Sequence, residues 1–199
     1  MHRFAGIVLC GGKSSRMGQA KAWLPFGGEF MLPRVVRLLS EVVSPIIVVS
    51  SPGQELPPLP ADTVVAHDPQ PDLGPLQGLA AGLRAVNGAH AAYVSSCDVP
   101  LLLPAFVRRM IDLLGDFDAA IPDVAGRLHP LAAVYQIQAA AVAERLLSTG
   151  ERRLTSLSAL LRTRIVPAAE LADADPDFFS LRNVNTPADL AAALRDAGR

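Results

Sequence analysis

At 199 residues, half of them hydrophobic, the chain can bury one sizeable core and reads as a single domain over residues 1–199. Lys and Arg number 18 against 19 Asp and Glu, a net charge of −1 that lacks the basic excess of a bulk nucleic-acid binder. No apolar run approaches the roughly 20 residues of a membrane span, and the start Met1-His2-Arg3-Phe4 enters a run too short for a signal peptide. The expectation is therefore a cytoplasmic protein with no membrane and no nucleic-acid partner.

Short β-branched runs alternate with longer helical patterns. Phe4 to Leu9 reads as a first strand, stopped by Gly11-Gly12. A helix is expected from Pro33 at its first position, with Val35, Val36, Leu39, Val42 and Val43 on one face, ending at Ser44-Pro45. Ile46 to Val49 is a second buried strand, and Ser51 to Pro60, with four prolines and a glycine, is a loop. Thr63 to Ala66 gives a short third strand and Gly74 to Val86 a helix. Ala91 to Ser95 is a fourth strand, followed by an amphipathic helix over Pro104 to Leu114. Ala119 to Pro122 and Leu131 to Tyr135 are further strand candidates, with helices from Ala139 to Leu147 and Leu154 to Leu161. Ile165-Val166 reads as an edge strand and Pro187 to Asp196 as a closing helix. This βαβα order predicts a doubly wound, mainly parallel α/β sheet with helices on both faces, whose ligands bind beyond the carboxyl ends of the strands.

The segment Leu9-Cys10-Gly11-Gly12-Lys13-Ser14-Ser15-Arg16-Met17-Gly18, with Lys21 after it, leaves the first strand at such an end. Glycines bring backbone N–H groups close to an anion, and Lys13, Arg16 and Lys21 add positive charge. It is not a Walker A loop, which requires a glycine five residues before the GK pair, where this chain has Ile7. It is not GxGxxG either. The spacing points to a polyphosphate rather than to a plain tight turn.

Asp98 follows the buried run Tyr93 to Cys97 and reads equally as a Mg²⁺ ligand or as a turn aspartate before Val99-Pro100. Asp68, after His67, could accept from a base or ribose, although turn initiation before Pro69 explains it alone. Gly74 and Gly78 in Leu73-Gly74-Pro75-Leu76-Gln77-Gly78-Leu79 would let a flat base approach, or else simply open a helix. His129 precedes Pro130 and is held extended, either toward a cleft or at the surface; no second His or Cys pair sits at zinc spacing. Arg152 and Arg153 are candidates for gripping a second, phosphate-bearing substrate, or begin a solvated helix. Asn183 and Asn185 flank Val184 and would face one way in an extended stretch, while Thr186 and Pro187 suit a helix start. Cys10 and Cys97, the two cysteines, read as reduced thiols at strand ends.

In this order, LCGGKSSRMG with Lys21, HD, GPLQGL, CDVP, LHPLAAVY, GERR and NVNTPADL resemble the molybdenum cofactor guanylyltransferases over nearly the whole chain. The resemblance implies a Rossmann-like fold of the nucleotide-diphospho-sugar-transferase type. It also implies transfer of GMP from GTP to the terminal phosphate of molybdenum-molybdopterin, with Mg²⁺ as cofactor and pyrophosphate released. Transient contact with other cofactor-synthesis proteins or recipient enzymes goes with it. By the same resemblance Leu9, Cys10, Gly11 and Gly12 meet the nucleotide, and Arg16 and Lys21 serve the phosphates. Asp68 and Gly78 hold the nucleoside, and Asp98 binds both Mg²⁺ and the nucleotide. His129, Arg152, Arg153, Asn183 and Asn185 are left for the second substrate. Cytidylyl relatives usually carry Ala-Ala-Gly where this chain has Cys10-Gly11-Gly12, which favours GTP. Cys10 in place of alanine, Ala20 in place of an acidic residue, and the lack of an asparagine near Ser50 depart from the family pattern. The competing readings are a cytidylyl- or sugar-phosphate nucleotidyltransferase on the same fold, and a non-catalytic molybdopterin carrier.

Overall fold

The computed structural model describes residues 4–11, 20–68 and 74–198. Its centre is β1 (Phe4–Leu9), buried on both faces and flanked in parallel on both sides. A two-stranded hairpin, β2 (Pro25–Phe26) and β3 (Glu29–Phe30), leads into α1 (Met31–Ser40). Then come β4 (Ile46–Ser50), β5 (Val64–His67), α2 (Pro75–Ala85) and β6 (Ala91–Ser96). The second half runs α3 (Pro104–Asp112), β7 (Ala119–Val124), β8 (Arg127–Leu128), β9 (Ala133–Gln136), α4 (Ala139–Ser148), α5 (Leu154–Leu160), β10 (Thr163–Pro167) and α6 (Pro187–Ala197). Among the described residues, no helix is long and apolar enough to cross a membrane.

The main sheet has the order β10-β7-β9-β6-β1-β4-β5, with β8 paired to β7. Ladders β1–β4, β1–β6, β4–β5 and β7–β10 are parallel, whereas β9 runs antiparallel to both β6 and β7. The mainly parallel expectation holds, with β9 reversed. Strand order turns around between β1 and β6, so the crevice of this doubly wound sheet opens beyond Leu9 and Ser96.

Alternation along the strands divides the core. Val8, Val48 and Tyr93 point to one face and pack with Leu32, Val35 and Leu39 of α1 and Phe106 and Met110 of α3. Ile7, Val49 and Val94 point to the other and pack with Leu76, Leu79 and Leu83 of α2 and with α4 and α5. Gly82 makes the second layer this tight, since a Cβ there would lie 2.7 Å from Ile7 Cγ2. A smaller cluster joins Leu24, Phe26, Met31, Leu101, Val184 and Ala193, and so fastens α6 and the chain before it to the hairpin.

The differences from the sequence reading are local. α1 begins at Met31 rather than Pro33, because proline is tolerated anywhere in a first turn whose N–H groups lack helical acceptors. The strand expected over residues 131–135 begins at Ala133, and Leu131-Ala132 belong to the turn before it. β2, β3 and β8, each of two residues, are too short to show a period.

Candidate functional site

The site assembles at the strand-end crevice. Beyond β1, the Cys10 N–H donates to Val49 O at 2.8 Å, and the Cys97 N–H donates to Leu9 O at 3.0 Å. These bonds extend the parallel ladders by one residue and fix where the chain leaves β1 and β6. Asp98 therefore emerges at the switch point beside Leu9, Cys10 and Gly11. Its backbone carbonyl accepts the Val184 N–H at 2.8 Å, which lays the C-terminal segment across it. Val184 is buried, so Asn183 and Asn185 both turn toward the crevice, as their spacing predicts.

The side chains converge on the Asp98 carboxylate. Lys21 Nζ donates to Asp98 Oδ2 at 2.6 Å and to Asn185 Oδ1 at 2.6 Å. Asn183 Nδ2 donates to Asp98 Oδ1 at 2.7 Å and to Ser96 Oγ at 3.3 Å, and Ser96 Oγ donates to Asp98 Oδ1. The Lys21 and Asp98 side chains are only 22% and 11% exposed, so this pair is screened less than a surface ion pair. Thr186 caps α6 through a reciprocal box with Asp189, whose Oδ2 also takes the Asn185 N–H at 3.0 Å. The position of Asn185 is thus set by a helix start.

Ser96 was not singled out from the sequence. It lies two residues before Asp98, and the period of a strand puts both on one side. Gln54 was also missed. Its carboxamide donates to Cys10 O at 2.9 Å and accepts from the Ser51 N–H at 3.1 Å, tying the proline-rich loop to the end of β1. It brings a carboxamide to the region where the asparagine near Ser50 is lacking.

Asp68 lies past β5 at the same end of the sheet, its N–H donating to Ser50 O at 2.9 Å. Gly78 is buried in α2 against Leu9 and Val49, with a nearest approach of 3.5 Å for an added Cβ. Gly12, Lys13 and Arg16 lie outside the described residues. Cys10 and Cys97 are free and buried; hydrogen bonding to Cys10, then burial, pushes the Cys97 thiol well above its ordinary range and leaves it protonated.

Beside the cluster opens a cavity of about 550 Å³ lined by Ser96, Asn183, Asn185, Arg127, His129, Arg152 and Arg153 among others. All five residues expected to serve a second substrate therefore meet in one space. β8 and β9 pair with the same edge of β7, at Asp123↔Leu128 and Ala119↔Tyr135; between them the His129 N–H donates to Pro122 O at 2.9 Å and Pro130 O accepts from the Tyr135 hydroxyl at 2.9 Å. His129 is held below its ordinary pKa by burial and by the Arg127 charge, partly offset by Asp123, so it is neutral near pH 7. The two adjacent arginines differ. Arg153 Nη2 pairs with Glu151 Oε2 at 3.0 Å, whereas Arg152 gives Glu151 only its backbone N–H. Gly74, at φ +82, brings the start of α2 within 3.7 Å of the Arg152 carbonyl, measured from a Cβ placed there.

A charged lysine–carboxylate–carboxamide cluster at a strand-end switch point, beside a cavity with cationic walls, can position two phosphate-bearing molecules against each other. Residues 6–165 match the MobA-like NTP transferase domain. The chain is 38% identical over 200 residues to a probable molybdenum cofactor guanylyltransferase of Mycobacterium tuberculosis, covering 96% of this chain and 93% of that one. It is 37% identical over 197 residues to the corresponding protein of Mycobacterium marinum, with the same coverage of 96% and 93%. Among solved structures, molybdopterin-guanine dinucleotide biosynthesis protein A of Archaeoglobus fulgidus superposes with a TM-score of 0.82 at 23% identity, over 98% of this chain and 99% of that one. The 2-C-methyl-D-erythritol 4-phosphate cytidylyltransferase of Thermus thermophilus gives a TM-score of 0.69 at 19% identity, over 100% of both chains. These two superpositions establish the fold.

Proposed function

The chain belongs to the MobA-like NTP transferase family, and on that premise we propose that it transfers GMP from GTP to the terminal phosphate of molybdenum-molybdopterin. The products are the molybdopterin guanine dinucleotide cofactor and pyrophosphate. The observation that carries this reading is the meeting of Lys21, Asp98, Asn183 and Asn185 beside the cavity that gathers the second-substrate residues.

In this reaction an oxygen of the acceptor phosphate attacks the α-phosphorus of GTP. A new P–O bond forms, the bond to the oxygen bridging the α- and β-phosphates breaks, and pyrophosphate leaves with that electron pair. The attacking oxygen is already ionised near neutral pH, so no general base is needed. What remains is positioning and charge stabilisation. Leu9, Cys10, Gly11 and Gly12 receive the nucleotide through the backbone, and Asp68 and the Gly78 segment hold the nucleoside. Lys21 meets the α-phosphate, with Arg16 adding positive charge. Asn185 aims the Lys21 ammonium, and Asn183 holds the Asp98 carboxylate.

The donors at Asp98 fit Mg²⁺, which takes hard oxygen ligands and often only one or two carboxylates beside phosphate oxygens and water. Asp98 supplies the carboxylate, the Ser96 hydroxyl and the Asn183 carboxamide contact it, and the Asn185 oxygen lies next to it across the Lys21 ammonium. Bound there, the ion would offset the charge of the triphosphate and of the departing pyrophosphate. A cytoplasmic site of action, and transient contact with other cofactor-synthesis proteins or recipient enzymes, complete the proposal. Pyrophosphate release measured with GTP and with CTP, each with molybdenum-molybdopterin and Mg²⁺, tests it.

A further inference from the structure

The cavity holds a cationic feature that nucleotidyl transfer leaves unused. Arg127 closes the β7–β8 hairpin, whose turn residues Ala125 and Gly126 have φ of +55 and +74. Such a two-residue turn matches the twist of its strands and fixes their register, here Val124 opposite Arg127. Arg127 and His129 are two residues apart, and both line the cavity. Burial and then the Arg127 charge lower the His129 pKa, partly offset by Asp123.

Arg152 lines the same cavity from the start of α5. Neither Arg127 nor Arg152 has a side-chain hydrogen bond or ion pair among the described residues, whereas Arg153 is neutralised by Glu151. Lys21, by comparison, is engaged by Asp98 and Asn185. The cavity thus combines a wall continuous with the reacting cluster, through Ser96, Asn183 and Asn185, with two uncompensated guanidinium forks. Planar guanidinium groups suit oxyanions and bind them through paired N–H donors.

We propose that Arg127, acting with Arg152, is a specificity-determining residue that binds a second anionic group of the acceptor, separate from the phosphate that takes the nucleotidyl group. This rests on the reading of the cavity as the acceptor site. The group is either the oxo-bearing metal end of the acceptor or another anionic part of the pterin.

The test is a binding titration of metal-free and molybdenum-loaded molybdopterin, without nucleotide, against wild type, Arg127→Ala, Arg127→Lys and Arg145→Ala. Arg145, exposed on α4, controls for the loss of one surface charge. Losing a charge-assisted contact of this kind should weaken acceptor binding about tenfold in Arg127→Ala. Arg127→Lys should recover part of the loss, and Arg145→Ala should match wild type. A loss confined to the molybdenum-loaded form assigns the metal end. An equal loss for both forms assigns the pterin if it persists with molybdopterin whose terminal phosphate has been removed, and its disappearance there overturns the separate subsite. Either assignment supports the subsite. Unchanged affinity of Arg127→Ala for both forms, or an equal loss in Arg145→Ala, overturns it. If wild type binds the acceptor in this Arg127-dependent way yet releases no pyrophosphate from GTP, the transferase reading fails while the subsite stands.

Discussion

Lys21 and Asp98, 77 residues apart in sequence, meet at 2.6 Å between Nζ and Oδ2, and Asn185 takes the same ammonium at 2.6 Å. The pair brings an ammonium and a carboxylate to one point, each partly compensating the other, and the proposed transfer assigns them to the phosphates and to Mg²⁺. Replacing Asp98 by Asn keeps the shape and removes the charge. Turnover should fall by at least about 100-fold, with the circular-dichroism spectrum unchanged. Near-normal pyrophosphate release by this variant would remove Asp98 from the metal role.

Asn185 accepts from the Lys21 ammonium, and under the proposed function it serves the reaction through that group. Asn185→Ala should lower kcat by about tenfold and leave the acceptor KM nearly unchanged, as expected for loss of one aiming hydrogen bond. In a Lys21→Ala background the same change should have almost no further effect, since residues of one network are not additive. Full additivity in the double-mutant cycle would show that Asn185 works independently of the ammonium.

His129 gives a pH signature. Burial and the Arg127 charge put its folded pKa below the ordinary 6.5, so below that value the unfolded chain binds the proton more readily. Its contribution to stability is complete above pH 6.5 and is lost as the pH falls through the lowered folded value. Thermal melts between about pH 7 and about pH 5 should show a smaller decline for His129→Gln than for wild type. Identical pH dependence in the two proteins would contradict the assignment.

Two glycines on α2 separate packing from binding. At Gly82 an added Cβ lies 2.7 Å from Ile7 Cγ2 and 3.1 Å from Val49 Cγ2, inside the sheet–helix layer. Gly82→Ala should cost about 2 kcal/mol of stability, or about 6 °C of Tm for a chain of this size. At Gly78 the nearest approach is 3.5 Å, so Gly78→Ala should melt at or above the wild-type temperature. A raised KM for GTP in that stable variant would then report the nucleoside contact directly.

The buried strands were legible because β-branched runs such as Ile46 to Val49 need no partner to be recognised. The direction of β9 was not, since a period of two carries no information on parallel or antiparallel pairing. Asn183 and Asn185 were readable as one face because Val184 sits between them, and the structure turns both toward Asp98 and Lys21. Their partners were not readable: contacts spanning 85 and 164 residues are set by strand order, not by local pattern. Arg152 and Arg153 looked equivalent as neighbours. Both line the cavity, and only the fold of Glu151 back onto Arg153 distinguishes the paired guanidinium from the Arg152 one. Arg127, a lone cation in a turn, gave no motif at all.

The central claim is tested most directly by pyrophosphate release at saturating molybdenum-molybdopterin and Mg²⁺, comparing GTP with CTP and each with an acceptor-free control. The account predicts acceptor-dependent release with GTP, little with CTP, and none from Asp98→Asn. Equal or faster release with CTP, or tight acceptor binding with no release from either nucleotide, would contradict it.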